Sequence, residues 1–176
     1  AARSVGVTLC SDAFAFQIKI LIEEIEFTEK QIKEIEKKIE KQLKKLNSVI
    51  LTIPGIGPAT GAIILGEIGD INRFSNPKKL VAFAGIDPTA YQSGNFTGAN
   101  NRLSKKGSPY LRRAVWMSAV VASRSDPVFK AFYEKKRREG KAHGTAIGAV
   151  ARKLLYTIHA VLKTNKPYEI RWDTIE

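Results

Sequence analysis

Ser93 stands between Gln92 and Gly94, and the residues that follow include Arg102, Lys105, Lys106, Arg112 and Arg113. A serine hydroxyl attacks well only when a base takes its proton, and cations beside it can hold the charge that develops on a phosphoryl oxygen. The stretch thus has the parts for chemistry on a backbone phosphate, except for the base, a role its arginines and lysines fill poorly. The same serine also suits a plain turn, because the Gly, Asn, Ser and Thr around it tolerate positive φ and fold back onto their own backbone. Between Pro88 and Ser125 there is no Asp or Glu, so this segment is a candidate surface for a polyanion.

Other chemistry is sparse. His143 and His159 are the only histidines, too few for a metal site, and neither is assigned a catalytic role: His159 reads as a packed helix residue and His143 as the start of the last helix. Glu67, Asp70, Asp87 and Asp126 are scattered singly, which argues against hydrolysis by metal-bound water within this chain. Ser104 and Ser108 read as helix-approach and capping residues.

Several elements must position the serine. Residues 14–46 hold no Gly or Pro, and Ile18, Leu21, Ile25, Thr28, Ile32, Ile35, Ile39 and Gln42 recur at steps of three and four. That is a heptad seam flanked by Glu and Lys, built to meet another helix; the alternative is an amphipathic helix lying along its own domain. Residues 17–46 carry eight Lys and seven Glu, so nearly all of the net charge lies elsewhere.

Next, Pro54-Gly55-Ile56-Gly57 forms the turn of an expected helix-hairpin-helix, with Pro58 in the first turn of its second helix. Gly55 and Gly57 would clear the way for a phosphate oxygen, turn N–H groups beside a helix N-terminus would bind it, and Ile56 would plug the gap between the helices. Gly61 and Ala62 would let the helices touch. The other reading is a helical corner without a ligand. Ser75 is the expected cap of a short helix that ends at Gly85, and Lys78 and Lys79 at its start serve either phosphate or solubility.

Ser108-Pro109 opens a helix burying Leu111, Val115, Trp116, Ala119 and Ala122, and Asp126-Pro127 opens another burying Val128, Phe129, Phe132 and Tyr133. The Lys135-Lys-Arg-Arg-Glu-Gly140 end suits either the helix dipole or a nucleic acid. A last helix, 143–163, buries Ile147, Val150, Leu154, Leu155, Ile158 and Val161 and stops before Pro167. Only residues 90–97 could form a hairpin. The fold class is all-α: a coiled-coil dimerisation segment over 1–47, then a helical domain over 48–176 with an ordered loop or short hairpin carrying the serine.

Composition sets limits. A chain of 176 residues with 44% hydrophobic content buries one good core. A net charge of +12 and a pI near 9.9 point to nucleic acid. One cysteine, Cys10, excludes an intramolecular disulfide and a cysteine-built zinc site and agrees with a reducing compartment. No apolar run reaches the length of a membrane span, and residues 1–10 lack a signal-peptide pattern, so the expected place is the cytoplasm, with no membrane partner. A start without Met suggests a piece of something longer.

The motifs in order are Ile-Pro-Gly-Ile-Gly-Pro-Ala-Thr, then Arg-Phe with Lys-Lys-Leu-Val-Ala-Phe-Ala-Gly-Ile-Asp-Pro, then Gln-Ser-Gly, then Leu-Ser-Lys-Lys-Gly-Ser-Pro-Tyr-Leu-Arg-Arg. Together, over roughly 51–163, they resemble the C-terminal transposase domain of the IS one-ten / IS eleven-eleven insertion-sequence family. That family includes RNA-guided bridge recombinases and is similar to the pilin-gene invertases. The resemblance implies a DNA recombinase with Ser93 as nucleophile; on that reading Gly55, Ile56 and Gly57 are expected to hold the DNA backbone while Arg102, Lys105, Lys106, Arg112 and Arg113 place the reacting phosphate. It also implies a homo-oligomer formed through the coil, and a guide RNA as a further partner. Family members carry an N-terminal RuvC-like domain whose four acids bind divalent metal. Nothing before Leu51 supplies it, so Mg²⁺ is implied for a domain outside this chain, no cofactor is expected within it, and the chain alone is expected to be inactive in strand cleavage. The rival reading is a non-catalytic helix-hairpin-helix module that binds DNA and dimerises.

Overall fold

Four of the helices begin on a proline, which fits the first helical turn because its missing N–H would have no partner there. The computed structural model describes residues 11–46, 48–88, 92–93, 96–97 and 103–170, with the backbone alone at 11, 44, 92–93 and 96–97. Its helices are α1 (Ser11–Lys45), α2 (Pro58–Ile68), α3 (Pro77–Ala84), α4 (Pro109–Ser125), α5 (Pro127–Arg138) and α6 (His143–Thr164). Two short 3₁₀ turns, Val49–Thr52 and Ile71–Arg73, precede α2 and α3. The expected hairpin is present as β1 (Gln92–Ser93) antiparallel to β2 (Phe96–Thr97), with Ser93 opposite Phe96. The all-α architecture holds.

The caps follow the sequence with one correction. Ser108 caps α4 by accepting from the Leu111 amide, and Asp126 caps α5 by accepting from the Val128 and Phe129 amides. The cap of α3 is Asn76, not Ser75: with Pro77 in the first helical position, the Asn76 side chain is the one that reaches the Lys79 amide, at 3.1 Å. Asn165, left-handed at φ 50°, ends α6 before Pro167 is reached.

The core joins the 3₁₀ turn Val49–Thr52 to α2 through α6. Ile50, Ile64, Ile68, Leu80, Leu111, Val115, Phe129, Leu154, Leu155 and Ile158 are all fully buried. Each contributes about 1.5–3 kcal/mol relative to an exposed side chain. Helix α4 is the axis of this domain, packed against α2, α3, α5 and α6. Helix α1 is different. Its last turns meet α2, where Ile39 and Leu43 face Ala62, Leu65 and Gly66. Ile18, Leu21, Ile25, Ile32 and Ile35 remain 49–58% exposed, so no described part of the chain covers the seam from Ile18 to Ile35. The alternative of an amphipathic helix lying along its own domain is therefore set aside for this stretch.

The expected helix-hairpin-helix is also altered. Its first helix is only the 3₁₀ turn Val49–Thr52, and Gly55 and Ile56 of its turn pack inward while Gly57 stays exposed. Gly55 has φ +81°, and a Cβ there would lie 2.3 Å from the Ser118 carbonyl oxygen of α4. Glycine is thus needed for close packing of backbone on α4. Gly61 faces Ile50, Leu51 and Ile56, so the expected tight contact at this position is present.

At the opposite end of α4, the Asp126 carboxylate has its second oxygen on the Tyr168 hydroxyl at 3.2 Å, while Tyr168 stacks on Phe129. Burial, then the charge of Asp126 and this hydrogen bond, push the Tyr168 phenol up to about 12.

Two outcomes are expected. Gly55→Ala should destabilise the fold by at least ~2 kcal/mol in a denaturant melt, since it adds both backbone strain and a clash; a change within ~0.5 kcal/mol would contradict this packing. A phenolate absorbance titration should show a component ionising near pH 12, and Tyr168→Phe should remove it. Because the folded phenol is raised above its ordinary value near 10, its contribution to stability is complete below pH ~10 and is lost as the pH climbs toward ~12.

Candidate nucleic-acid interface

The end of α3 determines where the basic segment goes. Gly85 is left-handed at φ 65° and caps α3, with its N–H donating to the Ala82 and Val81 carbonyls. Ile86 then plugs fully into the core. From there the chain meets its own return: Pro88 pairs antiparallel with Leu103, and the Ser104 amide donates to the Asp87 carbonyl at 2.8 Å. Pro88 and Leu103 thus form a closed neck on either side of β1 and β2.

The returning strand lies along the end of α3. The Lys105 amide donates to the Gly85 carbonyl and the Ser108 amide to the Phe83 carbonyl, at 3.1 and 2.8 Å. Between them Gly107 passes so close to α3 that a Cβ would overlap the Phe83 carbonyl. Lys105 itself is left-handed at φ 53°. Such a conformation in a residue other than glycine costs on the order of 1 kcal/mol or more, and here the hydrogen bonds on either side hold it in place.

Side chains tighten the same joint. Ser104 Oγ donates to Asp87 Oδ1 at 2.5 Å, and Ser108 Oγ donates to Glu67 Oε2 at 2.7 Å while accepting from the Leu111 amide. Arg112 Nη1 donates to the Ala84 and Gly107 carbonyls at 3.2 and 3.4 Å, a cation at the negative end of α3. Arg73 lies over both the Phe74 and Phe83 rings, 4.8 and 4.7 Å from their centroids, and braces the other side of α3.

The expected site residues separate into groups. Lys105, Lys106 and Arg113 are exposed around the N-terminus of α4. Arg112 is instead engaged with backbone carbonyls, so it holds the joint rather than standing free for a phosphate. Gly57 is exposed, but its N–H donates to Thr60 Oγ1, and the Ile56 N–H donates to the Ile53 carbonyl. Ile56 is 6% exposed and Gly55 rests on α4, so these two have packing roles; the picture of free amides pointing outward is corrected for Ile56 and Gly57. Ser93 lies in β1, its side chain outside the described residues, and Arg102 also lies outside them.

Sequence reasoning passed over Gly107 and the two serine–carboxylate bonds. The signal for Gly107 was its place between Lys106 and a helix cap; the pairing of Glu67 with Ser108 had none, since 41 residues separate them. It also passed over Tyr110, 70% exposed beside Arg113. Among the described residues no group of three or more His, Cys, Asp or Glu could hold a metal ion. Glu67 and Asp87 each engage a serine instead. No described helix is long and apolar enough to cross a membrane.

Residues 103–113 therefore form a cationic ledge at a closed neck, with both neighbouring acids, Asp87 and Glu67, already engaged. Comparison with known proteins places it in context. Over 131 residues the chain is 35% identical to the pilin gene-inverting protein of Moraxella bovis, covering 74% of this chain and 41% of that protein. It is 36% identical over 121 residues to the insertion element IS900 42 kDa protein of Mycobacterium paratuberculosis, covering 68% and 30%. It is 29% identical over 161 residues to the mini-circle putative transposase for IS117 of Streptomyces coelicolor, covering 90% and 38%. The chain thus spans well under half the length of these relatives. Residues 47–134 match the family described as Transposase IS116/IS110/IS902, a span that runs from the 3₁₀ turn before Gly55 through the whole ledge and most of α5. The chain belongs to the IS116/IS110/IS902 transposase family.

Proposed function

We propose that this chain is the DNA-binding and serine-nucleophile half of a transposase or site-specific DNA recombinase. Ser93 attacks a DNA phosphodiester: the serine oxygen–phosphorus bond forms, the bridging phosphorus–oxygen bond breaks, and the departing oxygen leaves as a hydroxyl end. Because the phosphoserine link keeps the energy of the broken bond, rejoining to another strand needs no nucleotide. Lys105, Lys106 and Arg113 hold the backbone phosphates at the ledge, with Arg102 from the loop joining them and Arg112 fixing the ledge to α3. The uncovered seam of α1 pairs with a second copy. DNA is the substrate, and the guide RNA implied by the bridge recombinases belongs to the same reading.

The observation that carries this reading is the closed neck at Pro88–Leu103, which roots the segment bearing Ser93 beside exposed cations that no acid from 88 to 125 opposes. The relatives' names, a gene-inverting protein and a putative transposase, support the same class of activity. A non-catalytic DNA-binding module is the second reading. It is favoured by one fact: Asp87 and Glu67, the acids at the ledge, already accept hydrogen bonds from Ser104 and Ser108.

A denaturing gel separates the two. Labelled DNA incubated with Mg²⁺ and this chain joined to an N-terminal acidic domain of the family should give a retarded covalent band. Ser93→Ala should abolish that band and leave DNA binding nearly intact; a band that persists in the variant would end the nucleophile assignment. For α1, Ile25→Lys with Ile32→Lys should shift the sedimenting species from oligomer to monomer, and an unchanged species would remove the seam from the interface.

A further inference from the structure

A second acid-free stretch lies outside the ledge. From Gly140 to Tyr168 there is no Asp or Glu, while Lys141, Arg152, Lys153, Lys163 and Lys166 fall within it. Nearly all of it is α6, whose inner face is the core and whose outer face is open. Among the described residues no acid forms an ion pair with Lys141, Arg152, Lys153 or Lys163. Lys163 is held by a neutral group, its Nζ donating to Asn72 Oδ1 at 2.7 Å. Lys153 and Lys136 both lie over the Phe132 ring, 4.8 and 5.5 Å from its centroid, so cations from α5 and α6 gather on one aromatic side chain. Burial, with the nearby charge of Lys135 added, holds the Lys153 ammonium below its ordinary range, against the opposing pull of Asp126. That acid is already fully used by two amides and Tyr168.

Lys136 is itself paired with Glu139 at 2.8 Å, but Lys141, Arg152, Lys153 and Lys163 outnumber the acids near them, and cations in such excess fit an anion better than they fit each other. The rest of the outer face decides which anion. Thr145, Ala149 and Ala160 are small, and Tyr156, 39% exposed, is the one large apolar side chain among them. A protein interface would carry more aromatic and aliphatic anchors. Arg152 and Lys163 are three helical turns apart, about 16 Å, on a helix about 33 Å long. That length matches roughly ten steps of a duplex at ~3.4 Å per step.

Resting on the DNA-binding reading above, we propose that the outer face of α6, with its corner at α5, is a second surface for the phosphodiester backbone of a nucleic acid, supplied by Lys141, Arg152, Lys153 and Lys163. It works through phosphates and not base edges, so it adds affinity and fixes the path of the strand without adding sequence preference. DNA and RNA share this chemistry.

The test is a salt titration of affinity, by anisotropy of labelled duplex DNA and, in a second arm, RNA of the same sequence. Four proteins are compared: the unaltered chain, Arg152→Gln/Lys153→Gln/Lys163→Gln, the ledge variant Lys105→Gln/Lys106→Gln/Arg113→Gln, and the charge-matched control Lys19→Gln/Lys30→Gln/Lys33→Gln on α1. A thermal melt checks that each is folded. The α6 variant should lose roughly ten- to a hundredfold in affinity and flatten the log–log salt slope by about 2–3, while the control stays near the unaltered chain. The arm with the larger loss identifies which nucleic acid uses the face. An α6 variant that binds with the unaltered slope, or a control that loses as much, overturns the proposal. Lys105→Gln/Lys106→Gln/Arg113→Gln separates the two readings: loss of binding there, with none from α6, would leave the ledge intact and refute only this surface. Failure of the unaltered chain to bind either nucleic acid would refute both.

Discussion

The contact on which the site depends is backbone against backbone: Gly107 pressed onto the Phe83 carbonyl, beside the left-handed Gly85 that ends α3. No side chain fits at that joint. Its consequence is geometric, because the amides of Ser104, Lys105 and Ser108 can reach the Asp87, Gly85 and Phe83 carbonyls only when the two stretches touch. Once they do, the start of α4 is fixed to the end of α3, and the exposed cations at residues 105, 106 and 113 have a defined place. Exposed lysines on a free loop would lose conformational freedom on binding a phosphate; here much of that ordering is already done by the fold.

A second glycine does similar work elsewhere. Gly55 brings the 54–57 turn onto α4 next to Ser118 and Ala122, so α4 is gripped by one glycine contact near its middle and positioned by another at its start. The turn that resembled a phosphate-binding corner is thereby spent largely on packing. Its remaining exposed member, Gly57, has its N–H on Thr60. Under the proposed function the phosphate contacts fall to the ledge and, by the inference drawn from α6, to a second acid-free surface.

Much of this was legible because local rules acted without competition. Prolines at residues 58, 77, 109 and 127 marked helix starts, and the three- and four-residue spacing of Ile147, Val150, Leu154, Leu155, Ile158 and Val161 gave the inner face of α6. The uninterrupted run from Phe14 gave α1. What the sequence did not show was decided by tertiary contacts. Gly55 looked like a ligand glycine because the sequence cannot show that α4 lies against it. Arg112 looked like a phosphate ligand because its carbonyl partner, Ala84, is 28 residues away. Ser75 and Asn76 are both good caps, and only the geometry forced by Pro77 chose between them.

The central claim is that the ledge at residues 103–113 carries the DNA backbone past the segment bearing Ser93. It is tested most directly by photo-crosslinking a duplex with reactive groups on its phosphates and mapping the attached peptides by mass spectrometry. Attachment should concentrate on peptides spanning residues 91–113 and disappear with excess unlabelled DNA. A map in which those peptides stay unmodified while α1 or the 54–57 turn takes the label would contradict it.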